Sequence, residues 1–108
     1  MRDPDLMLKL LREMSGAEMG RKTVLRTYGM SEAEKAERHH LELLVDAGHA
    51  KWIESGKHTA RMTNDGYDFL NAIDQGMGTK AKFTELFNTG VPYVKAALEV
   101  LKMVSTQP

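Results

Sequence analysis

The spacing of apolar and polar residues along this chain changes several times, and each change marks an element. Leu6, Met7, Leu10, Leu11 and Met14 recur on one side of a helical wheel while Asp5, Lys9, Arg12 and Glu13 take the other, the pattern of an amphipathic helix. Asp3 is its expected N-cap and Pro4 its first residue, where a missing N–H costs nothing. Ser15-Gly16 ends it. Residues 17–30 are less regular: Thr23-Val24-Leu25 and Thr27-Tyr28 suggest a short strand, with Gly29 in a turn. Ser31 followed by Glu34 forms a capping box that opens a second helix, and Gly48 closes it. Its wheel places Ala33, Ala36, His40, Leu43, Leu44 and Ala47 on one side and Glu32, Lys35, Arg38, His39, Glu42 and Asp46 on the other. Leu41 and Val45 fall off the main apolar face, which suggests a second packing surface. Propensity alone leaves open whether residues 31–47 form one helix or two.

The period then drops to two. Ala50 and Trp52 alternate with Lys51 and Ile53, His58, Ala60 and Met62 alternate with Lys57, Thr59 and Arg61, and Ser55-Gly56 supplies the turn between them. Thr63 is the expected cap of a third helix, with Asp65 and Asp68 in its first turns, Tyr67, Phe69, Leu70 and Ile73 facing inward, and Gly76 and Gly78 at its end. A short helical piece around Lys80–Phe87 follows, and Asn88-Thr89-Gly90 breaks it. The last helix, Val91–Val104, is apolar almost all the way round, leaving a narrow stripe of Lys95, Glu99 and Lys102. Such a helix must be buried on most of its circumference. In so short a chain the expected second partner is another copy across a two-fold axis, a homodimer through Val91, Val94, Ala97, Leu98, Leu101 and Val104. The alternative is a central helix around which a monomer wraps.

The order helix, hairpin, helix across residues 31–70 is the back half of a winged helix. The expected fold class is therefore mainly α with a small β-hairpin (α+β). A winged-helix-like domain would span residues 1–78, and a C-terminal helical extension, 79–108, would pack on it or form the dimer interface.

Length and composition fit a single soluble domain. A chain of 108 residues should bury about 65% of its unfolded surface in one core. Its 42% hydrophobic and 28% charged content lies well away from that of disordered chains. The chain has no cysteine, so disulfides, thiolate nucleophiles and Cys-ligated metals are excluded. MRDPDLML places an acidic turn where a signal peptide needs a basic one, and nothing approaches the ~20 apolar residues of a membrane span. The expectation is a cytoplasmic protein with no membrane contact.

Fifteen basic and fifteen acidic side chains cancel, yet unevenly along the chain. Residues 1–30 carry six basic and four acidic groups, 31–47 two and five, 48–78 three and four, and 79–108 four and two. The helix that would read DNA in a winged helix lies in the most acidic segment.

Several motifs run through these elements: Arg2-Asp3 before the first helix, His40-Leu41-x-Leu43-Leu44-x-x-Ala47-Gly48, Arg61-Met62-Thr63-x-x-Gly66-x-x-Phe69-Leu70, then Lys80 and Lys82 before the closing apolar helix. Together they resemble a family of small proteins, common in bacterial and prophage genomes, grouped as a domain of unknown function. The resemblance spans nearly the whole chain and implies a winged-helix-like domain, without an activity. More loosely, the chain is similar to MarR-like winged-helix regulators. It departs from them in lacking a separate helix before the recognition helix and in a shorter, less basic wing.

That analogy makes a small, winged-helix-type DNA-binding or transcriptional regulatory protein the first expectation, with double-stranded DNA as partner and no cofactor. Groove-facing candidates are Lys35, Arg38, His39 and Glu42; phosphate partners would be Arg21, Lys22, Arg26, Lys51, Lys57, His58 and Arg61. The alternative is a protein-interaction module, an adaptor or an inhibitor of a host factor, that keeps the fold without the DNA surface. The neutral charge, the acidic helix and the off-face Leu41 and Val45 suit it. An enzyme is not expected. Adjacent His39 and His40 point about 100° apart on a helix, whereas chelating pairs sit at i, i+4. His40 reads better as a buried, locally hydrogen-bonded side chain, and Asp65 and Asp68 are explained by the helix dipole. No serine elbow or phosphate loop is present.

Overall fold

The computed structural model of the chain describes residues 2–23, 31–53, 56 and 58–105. The elements in order are α1 (Pro4–Gly16), a 3₁₀ turn (Glu18–Gly20), β1 (Arg21–Thr23), α2 (Glu32–Asp46), β2 (Ala50–Trp52), β3 (Thr59–Met62), α3 (Asn64–Asp74), α4 (Met77–Asn88) and α5 (Tyr93–Ser105). The fold is mainly helical with a small antiparallel sheet, as expected. The sheet has three strands in the order β1-β3-β2, since β1 joins the hairpin. A strand covers Arg21–Thr23 and so includes Thr23 of the predicted segment; Val24, Leu25, Thr27, Tyr28 and Gly29 lie outside the described residues, as does Ser55 of the predicted turn. Among the described residues no helix is long and apolar enough to cross a membrane.

The helix starts follow from their caps. The Asp3 carboxylate accepts from the N–H groups of Asp5 and Leu6, and Ser31 and Glu34 form the reciprocal box at α2. These bonds satisfy donors that a helix start leaves open. One continuous helix of 15 residues follows Ser31. Helix α4 begins earlier than expected, so Gly76 separates α3 from α4 and Gly78 lies inside α4. The Thr79 hydroxyl, bonded to the carbonyls of Ile73 (3.1 Å) and Gly76 (2.7 Å), ties the two helices together.

One hydrophobic core runs through the molecule. Met7, Leu10, Leu11 and Met14 of α1 meet Leu41 and Leu44 of α2, Ala60 and Met62 of β3, Phe69 and Ile73 of α3, Phe83 and Phe87 of α4, and Tyr93, Ala96 and Val100 of α5. Phe69, Phe83, Phe87 and Tyr93 form an aromatic centre with ring centroids 5.3–6.2 Å apart, close enough for edge and stacked contacts to add to simple burial.

Two faces differ from the helical-wheel reading. The buried stripe of α2 is His40, Leu41 and Leu44, with Ala33 exposed. The reason is that α2 wedges between α1, β2 and α5, which centres its contact face on Leu41 rather than on Ala36. Leu41 is fully buried and Val45 packs half-buried on the core, so neither supplies a second docking surface. Helix α5 is covered on one side within its own chain, where Tyr93, Ala96, Ala97 and Val100 are buried against α4, α3 and α2, while Val94 and Leu98 stay exposed.

The densest joint lies where α2, the sheet and α3 meet. Helix α2 ends in a Schellman motif: Gly48 sits at φ +80°, its N–H donates to the Val45 carbonyl (3.0 Å), and the N–H of His49 donates to Leu44 (2.9 Å). Thr63 then donates its N–H to the His49 carbonyl (3.0 Å) and its hydroxyl to the Gly48 carbonyl (2.5 Å), while its oxygen caps Gly66. A Cβ on Gly66 would lie 2.3 Å from the His49 oxygen, so this close approach admits only glycine. The Ala47-Gly48 and Thr63-x-x-Gly66-x-x-Phe69 motifs are thus two halves of one structural joint.

Two histidines are locked into this interior. His49 bonds through Nδ1 to the Tyr93 hydroxyl (2.7 Å) and packs on Phe69. His40, fully buried, donates from Nδ1 to the Ala36 carbonyl (2.7 Å) and accepts at Nε2 from the Asp3 N–H (2.9 Å). Its tautomer is therefore set by its neighbours. Beside it, Arg2 lies 4.0 Å over the Phe87 ring and donates to the Val91 carbonyl. Burial lowers the pKa of both histidines, opposed at His40 by the Ala36 bond and at His49 by Asp65.

Candidate nucleic-acid interface

The sheet sorts its residues by alternation. Ala50, Trp52, Ala60 and Met62 face the helices, with Ala50, Ala60 and Met62 buried; Arg21, Thr23, Lys51, Ile53, Thr59 and Arg61 face away. The register then does something no single strand reveals. Arg21 pairs with Arg61, and Arg61 pairs with Lys51 on its other side, so three cations stand in one row across the three strands. Facing side chains in adjacent strands have Cβ atoms about 5 Å apart, and like charges there are destabilising by about 0.2–1 kcal/mol per pair. Beside the row, the hydroxyls of Thr23 and Thr59 bond to each other at 2.9 Å.

No ion pair among the described residues neutralises Arg21, Lys51 or Arg61. All three are exposed. The outer sheet face can therefore hold an anion with three cationic donors and a neighbouring hydroxyl pair.

The remaining predicted DNA contacts do not join this row. Lys22 projects from the opposite face, where its ammonium meets Glu13 at 2.7 Å and Glu37 at 2.6 Å. Burial alone would lower its pKa, but the bonds to the two carboxylates outweigh it and raise the pKa; Lys22 is a tie between β1, α1 and α2 rather than a phosphate contact. Lys35 bonds Glu32 at 3.3 Å. Arg38 lies 5.3 Å over the Trp52 ring on the inner side of the sheet. His39 is exposed on α2, edge-on to His40 at 5.7 Å. His58 is exposed just before β3. Arg26 and Lys57 lie outside the described residues.

On α2 the residues most open to solvent include Glu32, Lys35, His39, Glu42 and Asp46. This outward stripe carries three acids against one lysine. The helix expected to enter a groove is thus acidic on its free side, and the sheet is basic on its free side.

The six residues expected at a dimer interface are also divided. Ala97 is 1% exposed and belongs to the core. Val94 and Leu98 are 42% and 51% exposed. Leu101 and Val104 are half-buried along a groove shared with Asp68, Asn71 and Gln75 of the α3 region. Val91 is half-buried, and its carbonyl accepts from Arg2.

Sequence reasoning named each member of the cationic row but missed the row. The available signal was the polar-only set Arg21, Thr23, Thr59 and Arg61 at alternate positions, which becomes a face once β1 is placed on Arg21–Thr23 and paired with β3. No family model, curated protein or solved structure matches the chain.

Proposed function

We propose that this chain is a small winged-helix-type protein that binds double-stranded DNA, holding the duplex by its phosphates on the outer face of the sheet. The observation that carries this reading is the row Arg21–Arg61–Lys51. Three cations placed opposite one another, with no ion-pair partner among the described residues, weaken a small sheet, and a polyanion lying across them reverses that repulsion. The order α1, β1, α2, hairpin, α3 supports the winged-helix part of the reading, with the hairpin as the wing. The cationic row suits DNA because phosphate contacts supply most sequence-independent affinity.

Fluorescence anisotropy with a labelled duplex across a salt series tests the reading. Three neutralised phosphates give a slope of log K against log salt of roughly −3, at about 0.9 per phosphate. The combined Arg21→Gln, Lys51→Gln, Arg61→Gln variant loses binding while keeping its helical circular dichroism. Unchanged binding by that variant, or none by the parent protein, rejects the proposal.

A further inference from the structure

We infer that the protein, if it binds DNA as proposed above, holds the duplex without reading its sequence, with α2 kept out of the major groove. This rests on the placement of the two charged surfaces. The inner face of the sheet is committed to the helices, through Trp52 beneath Arg38 and through Lys22 bonded to Glu37 of α2 and Glu13 of α1. The cationic row stands on the opposite face. A duplex seated on the row is therefore separated from α2 by the sheet itself.

Helix α2 is also poorly equipped to read bases. Base edges in the major groove are read chiefly by Arg, Lys, Asn and Gln. The outward stripe of α2 offers Glu32, Lys35, His39, Glu42 and Asp46, in which Lys35 is bonded to Glu32. Pushing this stripe into a groove would bring Glu42 and Asp46 against the flanking phosphates. Arg38 is occupied over the Trp52 ring.

The outer sheet face does carry arginine and lysine, but three strands side by side are broader than the helix or two-stranded ribbon that the major groove admits, so these cations meet phosphates rather than base edges. It presents Arg21, Arg61 and Lys51 in one row and Thr23, Thr59 and Ile53 beside it. Among these described residues there is no aromatic ring on which an unpaired base could stack, the feature that single-strand binders rely on. What is left is a cationic strip with adjacent hydroxyls, which is suited to a phosphate backbone and indifferent to the bases above it.

The test uses the full chain and a panel of labelled 20-base-pair duplexes of unrelated sequence, with a single strand of the same length as control. All duplexes are expected to bind within about twofold of one another, and more tightly than the single strand. The double variant Glu42→Gln, Asp46→Asn is expected to leave duplex affinity within twofold of the parent, because those acids do not approach the DNA. Lys51→Gln is expected to lower the salt slope by about one. A duplex preferred more than tenfold, or a severalfold gain in affinity from removing the two acids, overturns this inference while leaving DNA binding standing. Tighter binding to the single strand overturns it too. Failure to bind any duplex removes both this inference and the function on which it rests.

Discussion

The joint around Gly48, His49, Thr63 and Gly66 and the outer face of the sheet lie within a few residues of each other in sequence, yet they treat polar groups in opposite ways. At the joint the polar groups are paired: the Schellman carbonyls, the Thr63 hydroxyl and the His49–Tyr93 pair all have partners within 3.0 Å. On the sheet face three cations stand opposite one another with no carboxylate bonded to them among the described residues. A fold pays for unpaired like charges only where they serve something outside it, whereas the paired interior is explained by stability alone. The contrast separates the residues that make the fold from those available to act, and substitutions on the two sides should move stability in opposite directions.

The largest effect is expected at Gly66. Adding a methyl group there drives it to 2.3 Å from a backbone oxygen, a neighbour that cannot rotate away. Gly66→Ala should cost on the order of 3 kcal/mol, read as a lower urea midpoint with an unchanged m-value. A variant as stable as the parent would mean that α3 can slide away from the Gly48–His49 turn, and the joint would be looser than its hydrogen bonds imply.

Tyr93→Phe comes next. It removes the hydroxyl that bonds His49 Nδ1 and leaves a buried ring nitrogen without that partner. A loss of about 1–2 kcal/mol follows from the cost of stranding a buried polar group. In a domain of this size that lowers Tm by roughly 4–8 °C per kcal/mol.

The same interior should be sensitive to acid. Burial holds His40 and His49 below their ordinary pKa, so near pH 6 the folded chain binds fewer protons than the unfolded chain. Their contribution to stability is therefore complete above about pH 6.5 and is lost as the pH falls through their folded values. Protonation of His40 would also turn Nε2 from an acceptor into a donor facing the Asp3 N–H. Tm should be lower at pH 5 than at pH 7.5, and His40→Gln should shrink the difference. An equal difference in that variant would assign the acid sensitivity to other groups.

The sequence made the paired side of this comparison legible and left the unpaired side obscure. Asp3, Ser31 and Thr63 cap helices at the predicted places because a cap is a local bond between residues a few positions apart. His40 is the buried, locally bonded side chain expected of it. What the sequence left obscure were the features that depend on distant neighbours. The face of α2 turned toward Leu41 because α1, β2 and α5 all press on it, and α5 buries one side in its own chain while Val94 and Leu98 stay exposed. The cationic row needs the register of β1 on β3, which pairs Arg21 with Arg61 from 40 residues away; only its Lys51–Arg61 half lies within the local hairpin. Lys22 and Arg21 are neighbours with equal charge, and only the pleat makes one a half-buried tie and the other a surface cation.

The smallest effect is the one that most sharply tests the contrast. Arg61 sits between Arg21 and Lys51 in register, so replacing it with threonine removes two like-charge pairings and puts a β-branched residue on the central strand. Stability should rise by about 0.3–1 kcal/mol, seen as a higher urea midpoint, and further at low salt, where screening of exposed charges is weakest. Duplex affinity should fall in the same variant, with the salt slope smaller by about one. Gain in the first measurement and loss in the second is the signature of a residue kept for its partner at the expense of the fold. If Arg61→Thr instead lowers stability, the arginine contributes packing along its aliphatic stem, and the row is part of the structure rather than a surface waiting for an anion.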